Sequence, residues 1–140
     1  MKVKFHYDIE GFRLRETGKI KRVIRKLIKD AGKKPGSAEV IFTNDEKLLE
    51  INREFLSHDY LTDIITFDYC EGKIINGEIY ISTERIRYNA RENHVTIWNE
   101  AARVIFHGFL HLCGYADGNQ KEKAAMTERE DMYLALVEAE

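Results

Sequence analysis

The hydrophobic and polar positions of this chain change period several times. Residues 2–7 alternate, as a half-buried strand does. Over residues 13–32, Ile20, Val23, Ile24, Leu27, Ile28 and Ala31 recur at intervals of three and four. That spacing predicts an amphipathic helix, ended by Gly32 and Pro35-Gly36. Residues 37–42 predict a short strand. Thr43 with Glu46 has the spacing of a capping box and predicts a helix to about Leu56, with Leu48, Leu49, Ile51, Phe55 and Leu56 as its apolar positions. Residues 57–61 are polar and predict a loop. Residues 63–69 are rich in β-formers, Glu71-Gly72-Lys73 signals a turn, and residues 74–81 supply the second strand of a hairpin, with a bulge or bend at Asn76-Gly77. Ser82 or Thr83 caps a helix to Asn93, Thr96 caps another to about Cys113, and Asn119 opens a last one to near Ala139.

Strand–helix units come first and mostly helices after. The expected fold is therefore α+β: a small mixed sheet, partly parallel, packed with helices. A length of 140 residues with no repeat or linker is read as one domain, 1–140. Composition agrees, with 44% hydrophobic and 33% charged residues, the proportions of a soluble globular chain. No apolar run is long enough for a bilayer, and the N-terminal residues lack the apolar core of a signal peptide, so a cytoplasmic location is expected. Two cysteines, Cys70 and Cys113, make no disulfide framework and read as buried thiols. The net charge of −2 does not advertise nucleic acid, but its distribution does more. Between Arg13 and Lys34 stand ten Lys and Arg against two acids. Arg22, Arg25, Lys26, Lys29 and Lys33 lie opposite the apolar stripe, where they form either an RNA-binding face or a solvated one.

The chemistry concentrates in residues 107–117. His107 and His111 stand four apart in a helical run, which stacks both imidazoles on one face. Gly114 offers a helix stop, and the turn after it can return Asp117 to the two rings. Two nitrogens and one carboxylate with a free fourth position make the open set of a catalytic zinc site. The alternative is a pair of hydrogen-bonded core histidines. The surrounding residues 101–113 are apolar almost all round, so unpartnered imidazoles there would be costly. The spacing also matches the long zinc-protease pattern, except that Gly108 stands where proteases carry their general-base glutamate. That argues against peptide hydrolysis and leaves the metal intact.

His107, Gly108, Leu110, His111, Leu112, Gly114 and Tyr115 together resemble the signature of the YbeY family, metal-dependent endoribonucleases of ribosomal RNA maturation. Residues 62–67, Thr-Asp-Ile-Ile-Thr-Phe, are similar to a second family block, and Gly77-Glu78-Ile79 to a third. The resemblance covers most of the chain and implies a small mixed sheet with a central, zincin-like metal-binding helix. Two departures are visible. The family usually continues Asp-His after the tyrosine, and this chain has Ala116-Asp117, so Asp117 becomes the third ligand. The family's usual arginine, six residues before Thr62, is Leu56 here, with Arg53 nearby.

The resemblance implies one zinc per chain on His107, His111 and Asp117, and a ribosomal RNA or ribosomal-subunit partner rather than DNA or a membrane. The expected reaction is cleavage of single-stranded RNA by a metal-activated water, which suits a site without a side-chain base at position 108. The other readings are a non-catalytic ribosome- or RNA-associated module with a bound metal, and a metalloprotease-like hydrolase. Structural zinc sites are closed by four protein ligands, which favours the hydrolase. Asp63 reads as a loop–strand junction group or an acceptor behind a ligand. Glu78 either orients a ligand histidine or pairs across its hairpin. His6, His58 and His94 are not assigned, and Trp98, Phe106 and Phe109 read as core.

Overall fold

The computed structural model describes residues 1–58 and 60–139. The chain runs through strand β1 (Lys2–Tyr7), helix α1 (Thr17–Asp30), strand β2 (Lys34–Thr43), helix α2 (Asp45–Phe55) and strand β3 (Ile64–Asp68). Strand β4 (Ile74–Ser82) and helices α3 (Thr83–Glu92), α4 (Ile97–Leu112) and α5 (Gln120–Ala139) follow. The strands form one mixed sheet in the order β1-β2-β4-β3. β2 pairs in parallel with β1 and β4, and β3 closes the antiparallel hairpin with β4. The α+β expectation holds.

Strand alternation divides the sheet into two faces. Val3, Ala38, Val40, Phe42, Ile75, Ile79 and Ile81 join the main core with α1, α4 and α5. Ile65, with Phe67 and Tyr80, turns to the opposite face and packs on Leu48 and Ile51 of α2. α4 touches α1, α3, α5, β3 and β4, so it is the central helix. Two glycines let it approach the sheet. A Cβ at Gly77 would lie 3.0 Å from Leu112 Cδ1, and one at Gly108 would lie 3.0 Å from Ile64 Cδ1 and 3.1 Å from Ile79 Cδ1.

Several element ends differ from the sequence reading. α1 starts at Thr17 rather than 13, because tertiary bonds hold the preceding segment: Leu14 N–H donates to the Tyr7 hydroxyl, and the Arg15 carbonyl accepts from the Trp98 indole. α1 also ends at Asp30, so Lys33 lies beyond the helix and not on its polar face. The cap of α2 is Asn44, whose side chain accepts from Lys47 N–H, while Thr43 is the last residue of β2. β2 begins at Lys34 and contains Pro35, although it is a central strand. Pro35 is tolerated because β1 pairs with β2 only from Ser37 onward, leaving that side of Pro35 open. The irregularity expected at Asn76-Gly77 lies on the partner strand. Gly36 and Ser37 together stand opposite Asn76, one residue more than β4 has there, and the Asn76 amide oxygen accepts from Ser37 N–H at 2.9 Å. The predicted loop at 57–61 includes Asp59, which is outside the described residues.

Candidate metal centre

Two demands on the sequence of α4 create the site. Its apolar residues bury it against the sheet and three helices. Spacing of four then places Arg103, His107 and His111 in one partly exposed row. The helix ends in a Schellman turn. Gly114 adopts φ 103°, its N–H donates to the His111 carbonyl at 2.9 Å, and Tyr115 N–H donates to the Leu110 carbonyl at 3.0 Å. This turn sets the Tyr115 carbonyl 3.0 Å from His111 Nδ1. It also returns the chain so that Asp117 Oδ2 lies 3.3 Å from His111 Nε2 and 3.4 Å from His107 Nε2. The two Nε2 atoms are 3.0 Å apart.

The partners fix the protons. A carbonyl only accepts, so His111 Nδ1 donates to Tyr115 O. His107 Nδ1 donates to the Glu130 carboxylate of α5 at 2.6 Å, and the other Glu130 oxygen takes Arg103 Nη1 at 2.9 Å. In neutral rings both Nε2 atoms then carry lone pairs. Two lone pairs and a carboxylate oxygen face one another, an arrangement that calls for a cation: a metal ion, or a second proton on one ring. The distances suit a metal. An ion about 2.0–2.1 Å from tetrahedral ligands has ligand–ligand edges of about 3.3 Å. His107, His111 and Asp117 can therefore hold a metal ion, and they are the one such group of three among the described residues.

Beside the triad lies a cavity of about 240 Å³, lined by His107 and Asp117 but not by His111. Asp63, just before β3, lines it with Glu100, Arg103 and Glu130. Burial raises the Asp63 pKa, against the pull of His107. Burial likewise raises Glu100, against Arg103. For His107 burial alone would lower the pKa, but the hydrogen bond and charge of Glu130, with Asp117 and Asp63, raise it.

Position 108, where zinc proteases carry their base, faces Ile64 and Ile79 of the sheet. Glu78 does not orient a ligand histidine: its carboxylate accepts from the Tyr69 hydroxyl at 2.8 Å across the hairpin and from Tyr80 at 3.4 Å. Leu56 caps α2, and neither it nor Arg53 lines the cavity. None of Arg22, Arg25, Lys26, Lys29 and Lys33 lines it either, and Lys26 pairs with Asp30 at 3.3 Å. His6 pairs with Glu39, His58 stacks on Tyr60, and His94 follows α3 with φ 55°. Cys113 is buried, and burial pushes its thiol up to about 11.

Sequence reasoning missed Glu130, Arg103 and the Tyr115 carbonyl. Glu130 did leave a signal. It sits among Met126, Tyr133, Leu134 and Val137, a carboxylate within the buried stripe of α5.

Comparison with known proteins points the same way. The profile of the family described as "Endoribonuclease YbeY" matches residues 8–138. A Bacteroides thetaiotaomicron protein of that name is 42% identical over 132 residues, covering 93% of this chain and 96% of its own length. One from Parabacteroides distasonis is 46% identical over 117 residues, covering 84% and 82%. The solution structure of TM1509 from Thermotoga maritima superposes with a TM-score of 0.66 at 29% identity, covering 96% of this chain and 88% of its own. With a profile match across nearly the whole chain and relatives above 40% identity, this protein belongs to the YbeY family.

Proposed function

We propose that this chain, as the single domain 1–140, is a metal-dependent endoribonuclease that cuts single-stranded RNA during ribosomal RNA maturation in the cytoplasm. One zinc per chain is held by His107, His111 and Asp117. The observation that supports this reading most is the convergence of their three acceptor atoms within 3.0–3.4 Å, with both Nδ1 protons already committed to Glu130 and Tyr115. Two imidazoles and a carboxylate are a donor set suited to zinc.

When bound, the metal supplies Lewis acidity, acidifying water and polarising a phosphoryl oxygen. The chain's own residues do the rest. Glu130 and the Tyr115 carbonyl hold the two rings in the tautomer that aims Nε2 at the ion. Asp117 adds a negative charge that a third histidine would not, and so would lower the net positive charge of a metal held there. With Gly108 against the sheet, no carboxylate stands at the protease position, and peptide hydrolysis is not expected. The α1 residues Arg22, Arg25, Lys26 and Lys29, with Lys33 beyond the helix, flank the RNA path.

The test is metal analysis of protein purified without a histidine tag, followed by assays on RNA and casein. About one zinc per chain, chelator-sensitive RNA cleavage and no casein hydrolysis are expected. Protein that binds its metal but cuts no RNA, ribosomal precursors on assembled subunits included, would favour the non-catalytic module.

A further inference from the structure

The metal cavity has a charge problem. Four carboxylates line it, Asp63, Glu100, Asp117 and Glu130, and an RNA phosphodiester is itself an anion. Arg103 is the one permanent cation among the lining residues. It stands one helical turn before His107 on the same row of α4, about 6 Å along the axis. Nη1 donates to Glu130 at 2.9 Å and Nη2 to Asp131 at 2.6 Å. A guanidinium has five N–H donors in a planar fork, and these two bonds use two of them. The Arg103 side chain is 29% exposed, whereas that of Glu130 is 8% exposed, so the guanidinium is more open to solvent than the carboxylate it pairs with.

We infer that Arg103 is the phosphate-binding residue of this site. One part of its fork is fixed by Glu130 and Asp131, and the remaining N–H groups take a non-bridging oxygen of the phosphodiester whose phosphorus lies beside the His107–His111–Asp117 triad. The two carboxylates act as a brace. They hold the guanidinium in place before substrate arrives, which lowers the ordering cost of the contact. Planar, multi-point recognition of phosphate is what arginine does better than lysine. The same residue thus offsets the repulsion of the cavity acids and selects an anionic substrate. This inference rests on the phosphodiester substrate proposed above.

The test uses the zinc-loaded full chain with Arg103→Met and Arg103→Lys. Zinc content is measured first, then binding of inorganic phosphate by calorimetry, then KM and kcat on a single-stranded RNA. The Met variant should hold one zinc, bind phosphate at least about tenfold more weakly and show a KM raised at least as much, the scale of one charge-assisted hydrogen bond. The Lys variant should keep the pairing with Glu130 yet bind phosphate several-fold more weakly, because an ammonium is a point charge without the planar fork that holds two carboxylates on one side and presents donors on another. A Met variant with full zinc and the phosphate affinity and KM of the parent overturns the inference and leaves Arg103 as a brace of α5. If the Met variant does not fold, an unchanged phosphate affinity in the Lys variant overturns it. Parent protein that binds no phosphate also overturns it. Parent protein that binds phosphate through Arg103 but cuts no RNA overturns the endoribonuclease reading instead.

Discussion

Glu130 of α5 accepts the Nδ1 proton of His107 of α4 at 2.6 Å, across 23 residues of sequence. This bond leaves the lone pair of His107 Nε2 facing His111 and Asp117, where the proposed metal would sit. Outer partners of this kind are worth about 10–100-fold in metal affinity. Glu130→Ala should therefore lose zinc to a competing chelator about 10–100-fold more readily than the parent, with the far-ultraviolet spectrum kept. Equal retention would show that packing alone orients His107.

The contrast between His107 and Glu130 marks what the sequence could disclose. His107, His111, Gly114 and Asp117 fall within eleven residues, and local rules connect them: helical spacing, a left-handed stop, a returning turn. Glu130 and Arg103 meet His107 only because α5 packs on α4, and no periodicity names that pairing. The same holds for the sheet. Alternation, β-forming residues and turn signals identified four strands, but the insertion of β4 between β2 and β3 is a tertiary choice. Element ends failed where side chains reached across, as with the Tyr7 hydroxyl and Trp98 indole on residues 14 and 15.

Gly108 bears on stability. Gly108→Ala would gain about 1 kcal/mol of helix propensity. Its Cβ would meet Ile64 and Ile79 at 3.0–3.1 Å, and overpacking typically costs about 1–3 kcal/mol. A net loss of about 1 kcal/mol in urea denaturation is expected. Gly108→Glu, the protease-like residue, should be far worse, because its carboxylate would enter the apolar interface. A more stable Ala variant would show that the two isoleucines give way.

Tyr133 ties α5 to α1 through a 2.8 Å hydrogen bond to Asp30. Burial, then this bond, then the Asp30 charge raise the phenol's pKa above its usual 10. A folded-state pKa above the unfolded one gives stability that is full below pH 10 and is lost as pH rises through the folded value. Tyr133→Phe should cost about 1.5–3 kcal/mol near neutrality, the range for a bond to a charged acceptor. Its deficit should shrink above pH 10. A deficit that is constant with pH would mean the hydroxyl's proton is not what the fold uses.

The basic residues of α1 predict a salt effect. Replacing Arg22, Arg25 and Lys29 by glutamate should weaken RNA binding and flatten its dependence on salt, since fewer counterions are released. An unchanged slope in a salt titration would assign that surface to solvent.

The central claim is that His107, His111 and Asp117 hold the metal on which RNA cleavage depends. The most direct measurement compares the parent with His111→Ala on one single-stranded RNA, with zinc and with a chelator. Cleavage by the zinc-loaded parent alone, abolished by the chelator and absent from the variant, is the expected result. Equal cleavage by both proteins, or cleavage indifferent to the chelator, would contradict it.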